Sequence, residues 1–206
     1  MIGSDLTLQL VVLRLFAGLI AATVQGAAIA GMAVLLGDKG PRHDGRLTLL
    51  PVAHIDLLGL GSLMLSGFGW SKPVAIDAAQ LGLGRWGLVI AALAGSAALL
   101  AVAYLILLLV IPALTLLPYT AGLTAAAFVR VAARLCVWTA LFTLLPLPPL
   151  AGAHLLAAAG IRLPPSAGIV IGWGLLLASV LGITRMVLTP VYALVAPLIL
   201  GAELAG

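Results

Sequence analysis

Long apolar stretches dominate the chain, and the polar positions between them divide it into a series of helices. Four stretches are each long enough to cross a bilayer as one helix, which takes about 20 residues. These four predicted spans are 10–36, 86–111, 121–145 and 166–188. The segment 57–67 is apolar but short and rich in glycine, which predicts a re-entrant or surface-lying piece. Another short apolar segment covers 190–200.

The polar residues concentrate between the first two long spans, in the region 38–77. Most of its charges come early, and a short alternating piece, Leu47–Leu49, follows them. This pattern predicts a hairpin or re-entrant loop beside the helices. The chain as a whole is therefore expected to be an all-α polytopic membrane protein with a single transmembrane domain over 1–206.

Composition supports lipid as the main solvent of this protein. Hydrophobic residues make up 64% of the chain and charged residues only 8%, whereas a soluble domain carries roughly 25% charged residues. The net charge of +4 is small, and no basic run interleaves with aromatic residues. Nucleic acid is therefore excluded as a partner, and we expect the partners to be lipids and other integral membrane proteins.

Four segments carry a recognisable pattern. Gly45–Asp56 reads GRLTLLPVAHID, Phe68–Val74 reads FGWSKPV, Ala91–Gly95 reads AALAG, and Phe142–Gly152 reads FTLLPLPPLAG. In order and rough spacing, they resemble GRLTLNPLAHIDPIG, FGWAKPV, ALAGPxxN and FNLLPIPPLDG of the site-2 protease family of intramembrane zinc metalloproteases, in its compact bacterial branch. The resemblance covers nearly the whole chain. It implies a site-2-protease-like helical bundle in the bacterial cytoplasmic (inner) membrane.

The resemblance also implies where the family's zinc site would lie. Its first helix carries HExxH, in which two histidines bind zinc and the glutamate activates the metal-bound water. Alignment on the following loop places Gln25 and Ile29 at the histidines and Gly26 at the glutamate. Ala151 replaces the aspartate of the PPLDG stretch, and Leu99 replaces the asparagine of the ALAGPxxN helix. Catalytic zinc needs about three ligands from His, Cys, Asp or Glu. The sequence thus predicts a degenerate member with no catalytic residue, no metal or other cofactor, and no enzymatic activity.

Three further residues are weak candidates for a rebuilt metal site. His54 and Asp56 lie in the loop, and His154 follows the degenerate PPLDG stretch. They could supply two or three ligands only if the fold brings them together. The favoured interpretation is that the histidines are buried residues whose neutral imidazoles form hydrogen bonds.

Two further pairs suggest contacts with a partner or with lipid. Arg130 and Arg134 lie four residues apart, hence on one helix face. They could meet lipid phosphate or a partner's carboxylate, or simply extend to the headgroups. Gly168 and Gly172 form a GxxxG motif, which lets two helix backbones approach closely, within this chain or between chains.

The function predicted from these residues is that of a structural or accessory subunit, or an assembly factor, of a larger membrane protein complex. One alternative is an inactive regulator that binds transmembrane clients in the former cleft. Another is an intramembrane zinc metalloprotease with a rebuilt metal site. A transporter is the weakest alternative, because the spans contain no convergent acidic residues.

Overall fold

The computed structural model describes residues 7–161 and 163–202, and over these ranges the chain is a bundle of helices. The helices are α1 (Leu8–Leu35), α2 (Gly40–His43), α3 (Leu57–Ser66), α4 (Arg85–Leu107), α5 (Val110–Leu116), α6 (Tyr119–Thr143), α7 (Ala153–Ala158), α8 (Pro165–Val180) and α9 (Ile183–Leu200). The described ranges contain no strand, and an isolated antiparallel bridge joins Ile55 to Ser71. Four helical stretches are long and apolar enough to cross a membrane. The predicted all-α polytopic class is therefore confirmed.

Those four stretches are Leu8–Leu35, Arg85–Leu116, Tyr119–Thr143 and Ile183–Leu200. The second runs beyond the predicted limit of 111, because α5 continues the path of the chain through Pro112. Near the start of a helix the backbone N–H groups have no acceptor within the helix, so proline, which lacks this N–H, is tolerated there.

The prediction of one span over 166–188 is wrong. Gly182 adopts a left-handed conformation with φ of +81°, and it separates α8, of 16 residues, from α9. The predicted short segment 190–200 is the second half of α9, which contains Pro190 and Pro197 without ending there. Prolines are tolerated in membrane helices because neighbouring groups satisfy the freed backbone positions.

The predicted re-entrant segment corresponds to α3, which has only 10 residues. Asp56 caps its first turn by accepting a hydrogen bond from the Gly59 amide at 2.8 Å. Gly67 ends it with φ of +85°. Arg14 of α1 donates to the Met64 and Leu65 carbonyls at 3.2 and 3.1 Å, so α1 satisfies the last turn of α3.

The centre of the bundle is formed by α1, α4 and α6, which pack directly against one another. Their buried faces are rich in small residues, among them the alanines Ala21, Ala103 and Ala133, which allow a close approach of the backbones. Aromatic residues of the loop after α3 pack on α6: the Phe68 ring meets the rings of Trp138 and Phe142 edge-on. With Leu175 of α8 in the same cluster, this packing holds the start of the loop against α6 and α8.

Candidate functional site

The positions that align with the family's zinc ligands lie close together. Gln25 and Ile29 occupy successive turns of α1. Ile29 and Ala151 line one cavity of about 270 Å³, together with Ser71 and Val74 of the loop. The fold therefore brings α1, the loop and the segment after α6 to a single place, as the resemblance predicts.

Gln25 is fully buried, and its amide connects three parts of the bundle. Its Nε2 donates to Thr143 Oγ1 of α6 at 2.5 Å, and its Oε1 accepts from Ser71 Oγ of the loop at 3.2 Å. The Thr143 hydroxyl in turn donates to the Thr139 carbonyl at 2.7 Å. A buried amide without partners is costly, so this network satisfies Gln25 and fixes the loop between the helices.

Gln25→Ala is expected to lower the free energy of unfolding by about 2–3 kcal/mol, from the lost hydrogen bonds and the cavity left behind. The measurement is reversible unfolding in mixed micelles. The matched control is Gln80→Ala, because Gln80 is exposed and bonds only to Asp77 in its own turn. Equal stabilities for the two variants would refute a structural role of the Gln25 network.

Gly26 lies against the imidazole of His54, which is fully buried. A Cβ atom on residue 26 would overlap His54 Nδ1, which has no hydrogen-bond partner among the described residues. His54 Nε2 lies 2.8 Å from the Thr48 carbonyl oxygen. The ring therefore occupies the space into which a side chain at position 26 would extend.

The electrostatic environment of His54 favours the neutral imidazole. Burial lowers its pKa, the hydrogen bond to Thr48 opposes that shift, and the charge of Arg46 adds to the lowering. A neutral ring that donates from Nε2 to the Thr48 carbonyl satisfies this geometry. It leaves the lone pair of Nδ1 directed at Gly26.

Arg46 fastens the loop around His54. Its guanidinium donates to the carbonyls of Ala53 and Lys72, and the Lys72 amide donates to the His54 carbonyl at 2.8 Å. Burial lowers the pKa of Arg46, and the nearby Asp44 opposes this shift. One buried arginine thus joins the two arms of the loop.

The residues at the aligned positions do not fit a zinc ion. Gln25 has both amide atoms engaged, Ile29 and Ala151 are apolar, and Gly26 is closed off by His54. Zinc in proteins is bound by Cys, His, Asp or Glu. Across 7–161 and 163–202, no three such residues are grouped closely enough to hold a metal ion.

The structure also does not assemble the rebuilt site from the loop and α7. The Asp56 carboxylate caps α3, and His54 is held by Thr48. His154 lies on α7 and, like Ile29, lines the 270 Å³ cavity. Burial lowers the pKa of His154, whereas a hydrogen bond with the backbone of Val74 raises it. The side chains of His54, Asp56 and His154 therefore each bond to a different part of the backbone.

The other predicted contact residues occupy different surroundings. Arg130 and Arg134 are exposed on α6. Gly172 is buried, and the side chains of Leu58 and Trp70 lie close to the place that a Cβ atom on this residue would take. Gly168 borders the 270 Å³ cavity. Leu99 is fully buried in the core of α1, α4 and α6, away from the cavity.

The sequence analysis did not single out Ser71 and Thr143. Both were nevertheless visible as departures from the family pattern: FGWSKPV has Ser71 where the family has alanine, and FTLLP has Thr143 where it has asparagine. Both residues meet Gln25, which is itself a departure. Three substitutions that are distant in sequence therefore form one hydrogen-bonded group.

Comparison with known proteins identifies a relative in Bacillus subtilis (strain 168), "Putative zinc metalloprotease YwhC". The identity is 33% over 135 residues, which is 63% of this chain and 61% of the relative. The chain thus spans about three fifths of that relative's length. No protein-family model matches the chain, and no solved structure matches it.

This relative corrects one prediction. The sequence analysis predicted that the chain is not an enzyme, but the name of the relative points toward protease activity. That prediction is therefore wrong. At the coarser level the comparison agrees with the resemblance stated above: the chain is a membrane protein similar to a relative whose name describes it as a zinc metalloprotease.

Proposed function

We propose that this chain is a site-2-protease-like protein of the bacterial cytoplasmic (inner) membrane that binds transmembrane segments of other integral membrane proteins. It would do so as an accessory subunit or assembly factor of their complex. The observation that carries the proposal is the apolar cavity beside Ile29, Ser71 and Ala151. This cavity lies where the resemblance places the family's reaction centre, and Ser71 of its lining donates a hydrogen bond to Gln25.

The space available for a client segment is larger than the first cavity alone. A second cavity of about 520 Å³ adjoins it, and both are lined by Pro148, Ala153, His154 and Leu163. Apolar burial gives little driving force between helices in lipid, so close packing and hydrogen bonds must hold a client there.

The loop offers hydrogen-bond donors for this purpose. Two of its backbone amides are already used: the Lys72 amide donates to the His54 carbonyl, and the Asp77 amide donates to the Asp38 carboxylate at 2.8 Å. Between them, the amides of Val74, Ala75 and Ile76 have no acceptor in the part of the chain that the structure describes. An extended client segment could pair its carbonyls with these amides, as peptides do at an exposed strand edge.

Site-specific photocrosslinking in native membranes tests this proposal. A photoreactive residue at Ala153, which lines both cavities, is expected to capture discrete proteins at a peptide that maps to a transmembrane segment. The matched control is the same residue at Ala97, which is exposed on α4. Gly168→Leu should reduce capture severalfold, because the cavity has room beside Gly168 that the larger side chain would fill. Capture of lipid alone at both positions would refute the proposal.

Cleavage of the bound segment is a second candidate function, which the Bacillus relative favours. The captured client gives the test: its length is compared in membranes that contain the wild-type protein and in membranes that contain Gly168→Leu. A shortened client that depends on the open cavity supports proteolysis. A client that keeps its full length in both supports holding without cleavage.

A further inference from the structure

A small internal cavity lies close to the Gln25 network, between α1, α3, α6 and the loop after α3. Its volume is about 10 Å³, and a single water molecule needs about 10–15 Å³. The polar residues of its lining are Asp56, Trp70, Ser71 and Thr139. On α6, Thr139 lies one helical turn before Thr143, the partner of Gln25. The cavity therefore lies within the span of two membrane helices.

Two buried polar atoms of this lining have no hydrogen-bond partner among the described residues: Trp70 Nε1 and Thr139 Oγ1. The two residues are only 4% and 2% exposed. An unpaired buried N–H or hydroxyl group costs free energy, and inside a bilayer no bulk water is at hand to offset that cost. Two such atoms beside one cavity indicate a bound molecule that bridges them.

The indole of Trp70 and the carboxylate of Asp56 both lie next to Gly59, which also lines the cavity. Asp56 Oδ1 accepts a hydrogen bond from the Gly59 amide at 2.8 Å. A Cβ atom on residue 59 would lie 2.9 Å from Trp70 Cδ1, the ring atom to which Nε1 is bonded. The N–H group and the carboxylate are therefore neighbours on the α3 side of the cavity.

The chemistry of the lining selects the kind of molecule. The indole Nε1 of Trp70 can only donate a hydrogen bond, and the carboxylate of Asp56 accepts. The Ser71 hydroxyl already donates to Gln25 Oε1, so its oxygen is left as an acceptor. The N–H group disfavours a cation, and the carboxylate disfavours an anion. Water can donate and accept at once, and it fits the volume.

We propose that this cavity binds one structural water molecule, which accepts from Trp70 Nε1 and bridges it to Thr139 Oγ1. A buried water makes about three hydrogen bonds, and Asp56 and Ser71 supply acceptors for its protons. The water joins α3, the loop and α6, and through Ser71 it extends the hydrogen-bonded group of Gln25.

This water site is independent of the proposed client binding. Ala153, the position of the photoreactive residue, does not line the small cavity. Client capture can therefore fail while the water is found, and the water can be missing while clients are captured.

Nuclear magnetic resonance of the full chain in detergent micelles, with ¹⁵N-labelled tryptophan, provides the direct test. We expect a nuclear Overhauser peak between the Trp70 Nε1 proton and the water resonance, and Thr139→Val should weaken it severalfold. Trp70→Phe assigns the indole signal. The matched control is Thr124→Val, which changes an exposed threonine of the same helix and should leave the peak unchanged.

The thermal stability of Thr139→Val gives a second test, because its sign differs between a bridged and an unpaired hydroxyl. Valine keeps the shape of threonine but lacks the hydroxyl group. If water bridges Thr139, the substitution loses a hydrogen bond and should lower the unfolding temperature by about 2–4 °C. If the hydroxyl is unpaired, valine removes a buried unsatisfied group and should raise that temperature.

Three results would overturn this proposal. The first is the absence of a water peak at Trp70 in the folded wild-type protein, a measurement that needs no variant. The second is a peak of equal strength in the wild type and in Thr139→Val, because the water would then not be held at Thr139. The third is a higher unfolding temperature for Thr139→Val than for the wild type and Thr124→Val.

Discussion

Gly26→Ala is expected to lower the free energy of unfolding by about 1–3 kcal/mol, the usual cost of overpacking a well-filled core. The added methyl group would overlap the His54 ring at Nδ1 and would approach Cγ to 2.9 Å. The ring cannot retreat freely, because Nε2 is held by Thr48 and the surrounding loop is fastened by Arg46. Reversible unfolding in mixed micelles measures the effect.

Gly31→Ala is the matched control on the same helix. The nearest atom to a Cβ at this position is Leu47 Cδ1 at 3.7 Å, an ordinary van der Waals contact. Alanine also favours the helix over glycine by about 1 kcal/mol, so this variant should be as stable as the wild type or more stable. If the two glycine variants unfold alike, His54 does not occupy the space beside Gly26.

A double-mutant cycle isolates the contact itself. His54→Ala removes the ring that the new methyl group would meet, so Gly26→Ala should cost much less in that background than in the wild type. Additive effects of the two substitutions would contradict a direct clash. A glutamate at position 26, as in the family motif, requires the same space, so His54 would have to move before it could enter.

The triple variant Gln25→His, Ile29→His and Ala151→Asp is expected to bind about one zinc ion per chain beyond any that the wild type retains. Ile29 and Ala151 line the same cavity, and Gln25 lies one turn from Ile29 on α1. Two histidines and one carboxylate are a ligand set that zinc accepts. Metal analysis after dialysis measures the gain, and a rise in unfolding temperature with added zinc checks it.

The geometry of that prediction is tested by moving one ligand. The matched control keeps both histidine substitutions but places the aspartate at Ala159, which is exposed just after α7. Two ligands alone hold zinc far more weakly, so this variant should lose the metal on dialysis. Equal zinc retention by the two triple variants would show that Ala151 does not face the two α1 positions.

The hydrogen-bonded group of Gln25, Ser71 and Thr143 gives these departures from the family pattern a physical basis. An amide at position 25 needs a donor and an acceptor nearby, and the two hydroxyl groups provide them. Alanine at position 71 would leave Oε1 without its partner. The three residues are therefore coupled, and we expect a variant of one to change the tolerance for substitution at the others.

The sequence by itself determined the class of the protein and the existence of its main helices. Hydropathy is a local property: a run of apolar residues longer than the bilayer is thick has few alternatives to a membrane helix. The short glycine-rich segment that became α3 was predictable for the same reason, because 10 residues cannot cross. The position of the candidate site followed from the resemblance, since aligned motifs share a place in the fold.

Only the tertiary structure decided where helices break and which polar groups meet. Gly182 ends α8 although the hydropathy continues across it, whereas Pro190 and Pro197 do not end α9. These outcomes depend on packing, which can stabilise or overrule a local preference. The contact between Gly26 and His54 and the hydrogen bonds of Gln25 with Ser71 and Thr143 join residues far apart in the chain. No local sequence pattern predicts such contacts, because they form only when the helices are packed together in the folded chain.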